Sequence, residues 1–269
     1  MDFVSVKVIC TELSLPWFQV NAMAFIPSPE KEVRCEYALF THGYTSHKGD
    51  CLNWATRLVE VGVPCLIFDH PGHYLGSFHE VSSLDDFTAH AHELFGEAFA
   101  RLEALVDQTL GHGAHPLCRN VILGGHSLGA FTAIKALELP QFQQLGRLAI
   151  GVGIGLGQRQ DTHIFETAFY EKTIAIRRQL VSPVLDSKQV FAWLKEAKEK
   201  MTVSNQRVHM ITGEDDVVVG PGGVEAFVEV LEKNGNSVTV DRPKRLAHHE
   251  PGAAAPHMHS FLKKHFGWA

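Results

Sequence analysis

The segment VILGGHSLGAFTAI, residues 121–134, spaces Gly125, Ser127 and Gly129 two positions apart. A run of β type precedes the serine, and Ala130, Ala133, Ile134 and Leu137 follow at helical spacing. A serine on a sharp strand-to-helix turn sits in a strained backbone conformation, and its neighbours two residues away must lack side chains to avoid collision. Its hydroxyl then stands at the carboxyl end of a sheet, where the helix beginning at Leu128 directs free N–H groups. This arrangement suits nucleophilic attack. The alternative is a glycine-rich turn with an incidental serine, and the strand and helix flanks argue against it.

A serine nucleophile needs a base and a group to orient that base. In ITGEDDVVVG, Glu214, Asp215 and Asp216 follow an apolar run, and by themselves they read as an ordinary acidic turn. The chain holds 17 histidines, so an isolated one is no evidence of catalysis. RLAHHEPGAAAPH, residues 245–257, places His248 beside His249 after the last strand-like run. Adjacent side chains of an extended stretch point to opposite sides, so only one of the two can face Ser127. His257 falls in the first turn of the final helix. Metal chemistry lacks a motif: no HExxH occurs, and His90 with His92, or His257 with His259, would lie on different helix faces. These pairs read as surface imidazoles, and no metal or cofactor is expected.

The elements that must position these groups alternate along the chain. Runs near 3–10 and 18–26 have no helix between them and suggest an antiparallel pair at a sheet edge. EYALFTHG, VPCLIFDHPG, NVILGGHS, RLAIGVGIG, RVHMITGEDD and SVTVDRP read as further strands, separated by segments of helical period. Together they predict an α/β fold with a mostly parallel central sheet and helices on both faces. Residues 85–110 carry one apolar stripe and predict a single helix capped by Ser82 or Ser83. In the final helix, Met258, Phe261, Leu262, His265 and Phe266 form a stripe that places His265 in the core, and Pro256 suits its first turn. Between the strands near 148–153 and 207–212 lie about 50 residues, far more than an ordinary connection. They carry two amphipathic patterns, one through Phe165, Ala168, Phe169, Ile176 and Leu180, another through Val190, Leu194, Ala197 and Met201. Residues 158–204 therefore read as a helical cap inserted in a core made of 1–157 and 205–269.

Bulk properties exclude several classes. A chain of 269 residues is ample for one large core, and a net charge of -6 without a basic stripe argues against nucleic acid as a partner. Five scattered cysteines without a CxxC pair suggest reduced thiols. No signal-like start and no apolar run of roughly 18 residues are present, which predicts a cytoplasmic chain with no transmembrane segment.

These motifs together resemble the α/β-hydrolase superfamily, in its capped esterase and lipase branch, over nearly the whole chain. The resemblance implies an α/β-hydrolase fold and a triad in the order Ser, acid, His. It selects Asp216, three positions after Gly213, over Asp215 and Glu214. Its usual ending, Gly, His, any residue, Pro, matches His249, Glu250 and Pro251, with His248 where glycine is usual; it therefore selects His249 as base. THGYTSH resembles the family's HG turn, which implies an oxyanion donor at the Tyr44 N–H, with Leu128 N–H as the second. His42 reads as structural. FDHPGHYLGS resembles the loop after the next strand, with Tyr74 and Gly76 departing from its usual glycine and serine. Asp69 and His70 of this loop are read as braces.

The implied function is cleavage of carboxylic esters through an acyl-enzyme. Serine at 127 argues against haloalkane dehalogenases and epoxide hydrolases, which use aspartate. The expected partner is a small-molecule ester with an apolar acyl part; Phe165, Phe169, Phe191 and Trp193 could line its pocket or form the cap's own core. Thioesterase, lysophospholipase, monoacylglycerol lipase and peptidase activities use the same machinery. A hydrolase scaffold that only binds a ligand is the alternative of a different class. The sequence gives no oligomeric state.

Overall fold

The computed structural model describes residues 6–157 and 175–268. Eight strands form one sheet: β1 (Val6–Leu15), β2 (Phe18–Pro27), β3 (Glu36–Thr41), β4 (Cys65–Phe68), β5 (Asn120–His126), β6 (Gly146–Val152), β7 (Arg207–Ile211) and β8 (Ser237–Asp241). Their order is β1-β2-β4-β3-β5-β6-β7-β8. The pairs β1 with β2 and β2 with β4 are antiparallel, and all others are parallel. Every residue of β3 and β4 is buried, which explains their unbroken apolar runs: a parallel strand covered on both faces has no polar side. At the edge, β1 is exposed or half-buried along its length except at Leu13, which is fully buried.

Alternate residues of the central strands feed two cores. Leu39, Leu66 and Leu123 join one layer, which includes residues of α3 (Leu94–Leu110), α4 (Leu128–Ala136) and α6 (Gly223–Lys233). Ala38, Phe40, Ile67 and Ile122 join the other, under α1 (Leu52–Val59) and α7 (Ala255–Phe266). The side-chain period of two along each strand sorts them.

Two expectations about helices need correction. The stripe over 85–110 is two helices, α2 (Leu84–His90) and α3, separated by a tight 3-10 turn at Ala91–Glu93. Apolar spacing runs through this break because a 3-10 turn keeps the buried face inward. Ser83 does cap α2, its Oγ accepting the Asp86 N–H at 3.0 Å. His265 is exposed. It stacks on Phe261 at the margin of α7, while Met258 and Leu262 alone of that stripe are fully buried.

Of the long connection after β6, α5 (Ser187–Glu199) is described, with Asp186 Oδ1 accepting the Lys188 N–H at 3.0 Å as its cap. Val190 and Leu194 are buried against the first core layer, as their spacing predicts. Phe165, Ala168 and Phe169 lie outside the described residues. Among the described residues, no helix is long and apolar enough to cross a membrane.

Candidate active site

Six parallel strands end at the same edge of the sheet. The chain leaves β3 into His42-Gly43-Tyr44, β4 into Asp69-His70, β5 into Ser127, β6 into Gly153, β7 into the turn holding Asp216, and β8 into the loop holding His248. Open α/β sheets bind ligands at this edge.

Ser127 has φ 51° and ψ -105°, a conformation that L-residues rarely adopt. Two backbone hydrogen bonds hold it there: its N–H donates to Val152 O at 2.8 Å, and its C=O accepts from Phe131 N at 3.1 Å. Glycine is required on both sides. A Cβ on Gly125 would lie 2.4 Å from the Gly129 carbonyl carbon, and one on Gly129 would lie 2.6 Å from the carbonyl oxygens of His42 and Thr41. The turn after β3 and the first turn of α4 therefore touch backbone to backbone. These are the segments that carry the Tyr44 and Leu128 N–H groups. Leu128 is the first residue of α4, so its N–H has no partner within the helix. Tyr44 follows Gly43 in a turn closed by Ser46 N–H to Gly43 O at 3.2 Å, with Thr45 at φ 62°.

Asp216 is 6% exposed. One carboxylate oxygen, Oδ1, accepts the N–H groups of Val218 and Val219, each at 2.9 Å. The other, Oδ2, lies 2.8 Å from His248 Nδ1. Burial alone would raise this carboxyl's pKa. The hydrogen bond and charge of His248, with the two backbone donors, outweigh it and hold the group below its ordinary value. Asp215 and Glu214 are exposed in the same turn.

His248, and not His249, is the imidazole that meets the acid, and the expectation for His249 is corrected. The cause is a turn: Glu250 N–H donates to Ala247 O at 3.1 Å, so His248 and His249 are its two central residues, the first reaching Asp216 and the second exposed. The two rings are perpendicular, with centroids 5.4 Å apart. The family ending, taken as the register, is offset by one.

His126, which sequence reasoning passed over, lies beneath the pair. Its ring is 4.8 Å from that of His248, and a Cβ on Gly43 would come within 2.5 Å of its Nδ1. Burial, with the charges of His248 and His249, lowers its pKa well below the ordinary value, so it is a neutral packing element. The HG turn thus needs glycine because His126 occupies the adjoining space.

Ser127 and His248 line one cleft, together with the loop at 153–157, Val218 and Val219, and the α5 residues Phe191, Leu194, Lys195 and Lys198. Phe191 packs its ring edge on Tyr44, whose hydroxyl donates to Leu185 O at 2.6 Å. Trp193 turns the other way, against Phe131 and Phe87. Among the described residues no cluster of His, Cys, Asp and Glu could hold a metal ion. His90 and His92 are not free surface imidazoles: His90 stacks on Trp17, and His92 is partly buried.

The profile of the Alpha/beta hydrolase family matches residues 38–249, most of the chain. No curated protein sequence matches it. Among solved structures, an esterase from Pyrobaculum calidifontis aligns with TM-score 0.64 at 15% identity, over 98% of this chain and 86% of that one. A cold-adapted esterase from an Arctic intertidal metagenomic library aligns with TM-score 0.54 at 18% identity, over 98% and 96%. The thioesterase domain from the curacin biosynthetic pathway aligns with TM-score 0.59 at 13% identity, over 95% and 99%. At such identities these likenesses speak for the fold: this is the α/β-hydrolase fold, with a mixed, mostly parallel sheet.

Proposed function

We propose, from the premise that this chain belongs to the alpha/beta hydrolase family, that it is a serine hydrolase of carboxylic esters working through Ser127, His248 and Asp216. The observation that carries this reading is the 2.8 Å contact between His248 Nδ1 and Asp216 Oδ2, in a histidine that shares a cleft with a serine on a strained turn.

With Nδ1–H donated to the carboxylate, the other ring nitrogen of His248 keeps its lone pair for the serine proton. Ser127 Oγ attacks the ester carbonyl carbon as His248 takes that proton. The oxyanion is stabilised by the Tyr44 and Leu128 N–H groups, and Asp216 stabilises the imidazolium. His248 then protonates the departing alcohol, leaving an acyl-serine. Water, deprotonated by the same imidazole, releases the acid. Phe191 and Leu194 offer an apolar wall for the acyl part, and residues 158–204 are read as the cap that supplies it.

The test is labelling with a fluorophosphonate probe, then turnover of esters graded in acyl length beside a matched thioester. Native protein should label at Ser127, and Ser127→Ala should neither label nor turn over. Native protein that stays unlabelled would instead support the non-catalytic binding scaffold. A preference for short acyl chains marks a carboxylesterase, and one for long chains or glycerides a lipase.

A further inference from the structure

A hydrolase of neutral, apolar esters has no use for ammonium groups in its cleft. Here two lysines border the cleft, Lys195 and Lys198, three residues apart on α5 and therefore on one face of the helix. They line the same cleft as Ser127 and His248.

Lys198 is the more informative. Its side chain is half-buried, and its ammonium donates to the carbonyl oxygen of Gly155 in the loop after β6. An ammonium has three N–H donors and a net charge, and one carbonyl answers neither need in full. Among the ion pairs of the described residues none includes Lys195 or Lys198. Burial lowers the Lys198 pKa to about 8, and Lys195 presses it the same way, while Glu199 opposes. All this occurs on a chain of net charge -6, so it does not follow from a generally basic surface.

These cations also bear on the mechanism. Catalysis forms an imidazolium on His248, and positive charge in the same cleft disfavours it. His248 borders the same cleft, and the carboxylate nearest to it, Asp216, is already committed to its Nδ1. A negative group on the substrate would satisfy the ammonium donors and remove that penalty together.

The geometry points to Lys195 and Lys198 as an anion-recognition subsite, so that the ester taken by this site carries a carboxylate or similar anionic group a few bonds from its carbonyl. The inference rests on the hydrolase reading above and sharpens its substrate class: Phe191 and Leu194 hold the apolar stem, and the lysines hold the charged head. The anion can belong to the acyl chain or to the alcohol.

Two pairs of esters separate these sources. Monomethyl glutarate against methyl pentanoate places the charge on the acyl side; 3-butanoyloxypropanoate against butyl butanoate places it on the alcohol side. In at least one pair the anionic ester should exceed its neutral partner about tenfold or more in kcat/KM, chiefly through KM. That ratio should fall toward one in Lys198→Met and, less steeply, in Lys195→Met. Lys195 is exposed, so its variant remains informative if Lys198→Met misfolds. Glutarate should also slow fluorophosphonate labelling of Ser127 more than pentanol does.

The inference is overturned if neutral esters match anionic ones in both pairs, or if the ratio survives in the variants. It is equally overturned if Ser127 labels normally, no anionic ester is cleaved and glutarate gives no protection. Failure of native Ser127 to label at all is a different result, and overturns the hydrolase reading itself.

Discussion

Two buried carboxylates stand beside histidines at the carboxyl edge of the sheet, and they do different things. Asp69, fully buried, accepts the Lys48 N–H at 2.7 Å and the Lys48 ammonium at 2.6 Å. His42 comes within 3.7 Å of it without a proton to give: His42 Nε2 accepts the His70 N–H at 2.9 Å, which leaves its proton on Nδ1 for Gly43 O at 2.7 Å. Burial lowers the His42 and His73 pKa values to about 3, with His70 lowered as well, so this cluster is neutral. Asp216 is satisfied on one oxygen by backbone N–H groups and keeps the other for His248, whose ring borders a cleft. The same residue types thus brace a loop in one place and are arranged for proton transfer in the other. What separates them is whether the carboxylate receives an imidazole N–H or a lysine, and whether the imidazole's far nitrogen reaches open space beside a nucleophile.

Breaking the second arrangement should cost activity, and breaking the first should cost stability. The largest effect is expected for His248→Ala, which should lower kcat by about 10⁵-fold or more, as loss of a triad base does, while His249→Ala stays within about tenfold. Steady-state ester kinetics on the two purified variants decide between the neighbours; equal losses would dissolve the distinction drawn from the contact with Asp216. Asp216→Asn should cost about 10⁴-fold in kcat with little change in KM, because an amide cannot hold the same tautomer or stabilise the imidazolium.

Asp69→Asn should act differently. It leaves the Lys48 ammonium without its counter-charge and should lower stability by about 3 kcal/mol, read from denaturant midpoints. Activity per folded molecule should stay within about tenfold of wild type. A kcat loss as large as that of Asp216→Asn would join the two clusters into one machine.

The smallest expected effect is on acid stability. The folded pKa of Asp216 is depressed, so its contribution is fully present above the unfolded value, about 4, and is lost as pH falls through the folded value. Acid unfolding of Asp216→Asn should therefore be shallower than wild type below about pH 4, with the two curves parallel above it.

Much of this was legible in the residues. The elbow was visible at Gly125, Ser127 and Gly129 because its cause is local: a side chain at either glycine would meet backbone within 3 Å. The strands were visible because burial on both faces leaves uninterrupted apolar runs. The turn holding Asp216 was identified only through family resemblance, since Asp215 and Glu214 are equally good turn residues. The choice between His248 and His249 was not legible locally, because both sit in a turn where strand alternation does not hold. The break between α2 and α3 left no trace, because apolar spacing survives a 3-10 turn.

By itself, the sequence determined the strand-to-helix elbow, the mostly parallel sheet and the order in which nucleophile, acid and base candidates arrive, since short-range sterics and burial periodicity act between near neighbours. Tertiary structure decided which histidine meets Asp216, that Asp69 is claimed by Lys48, and that Lys198 reaches the carbonyl of Gly155. Each of those outcomes depends on segments 20 or more residues apart arriving at one place: His248 and Asp216 are 32 residues apart, Lys48 and Asp69 are 21, and Lys198 and Gly155 are 43. No local pattern encodes a distance across the edge of a sheet.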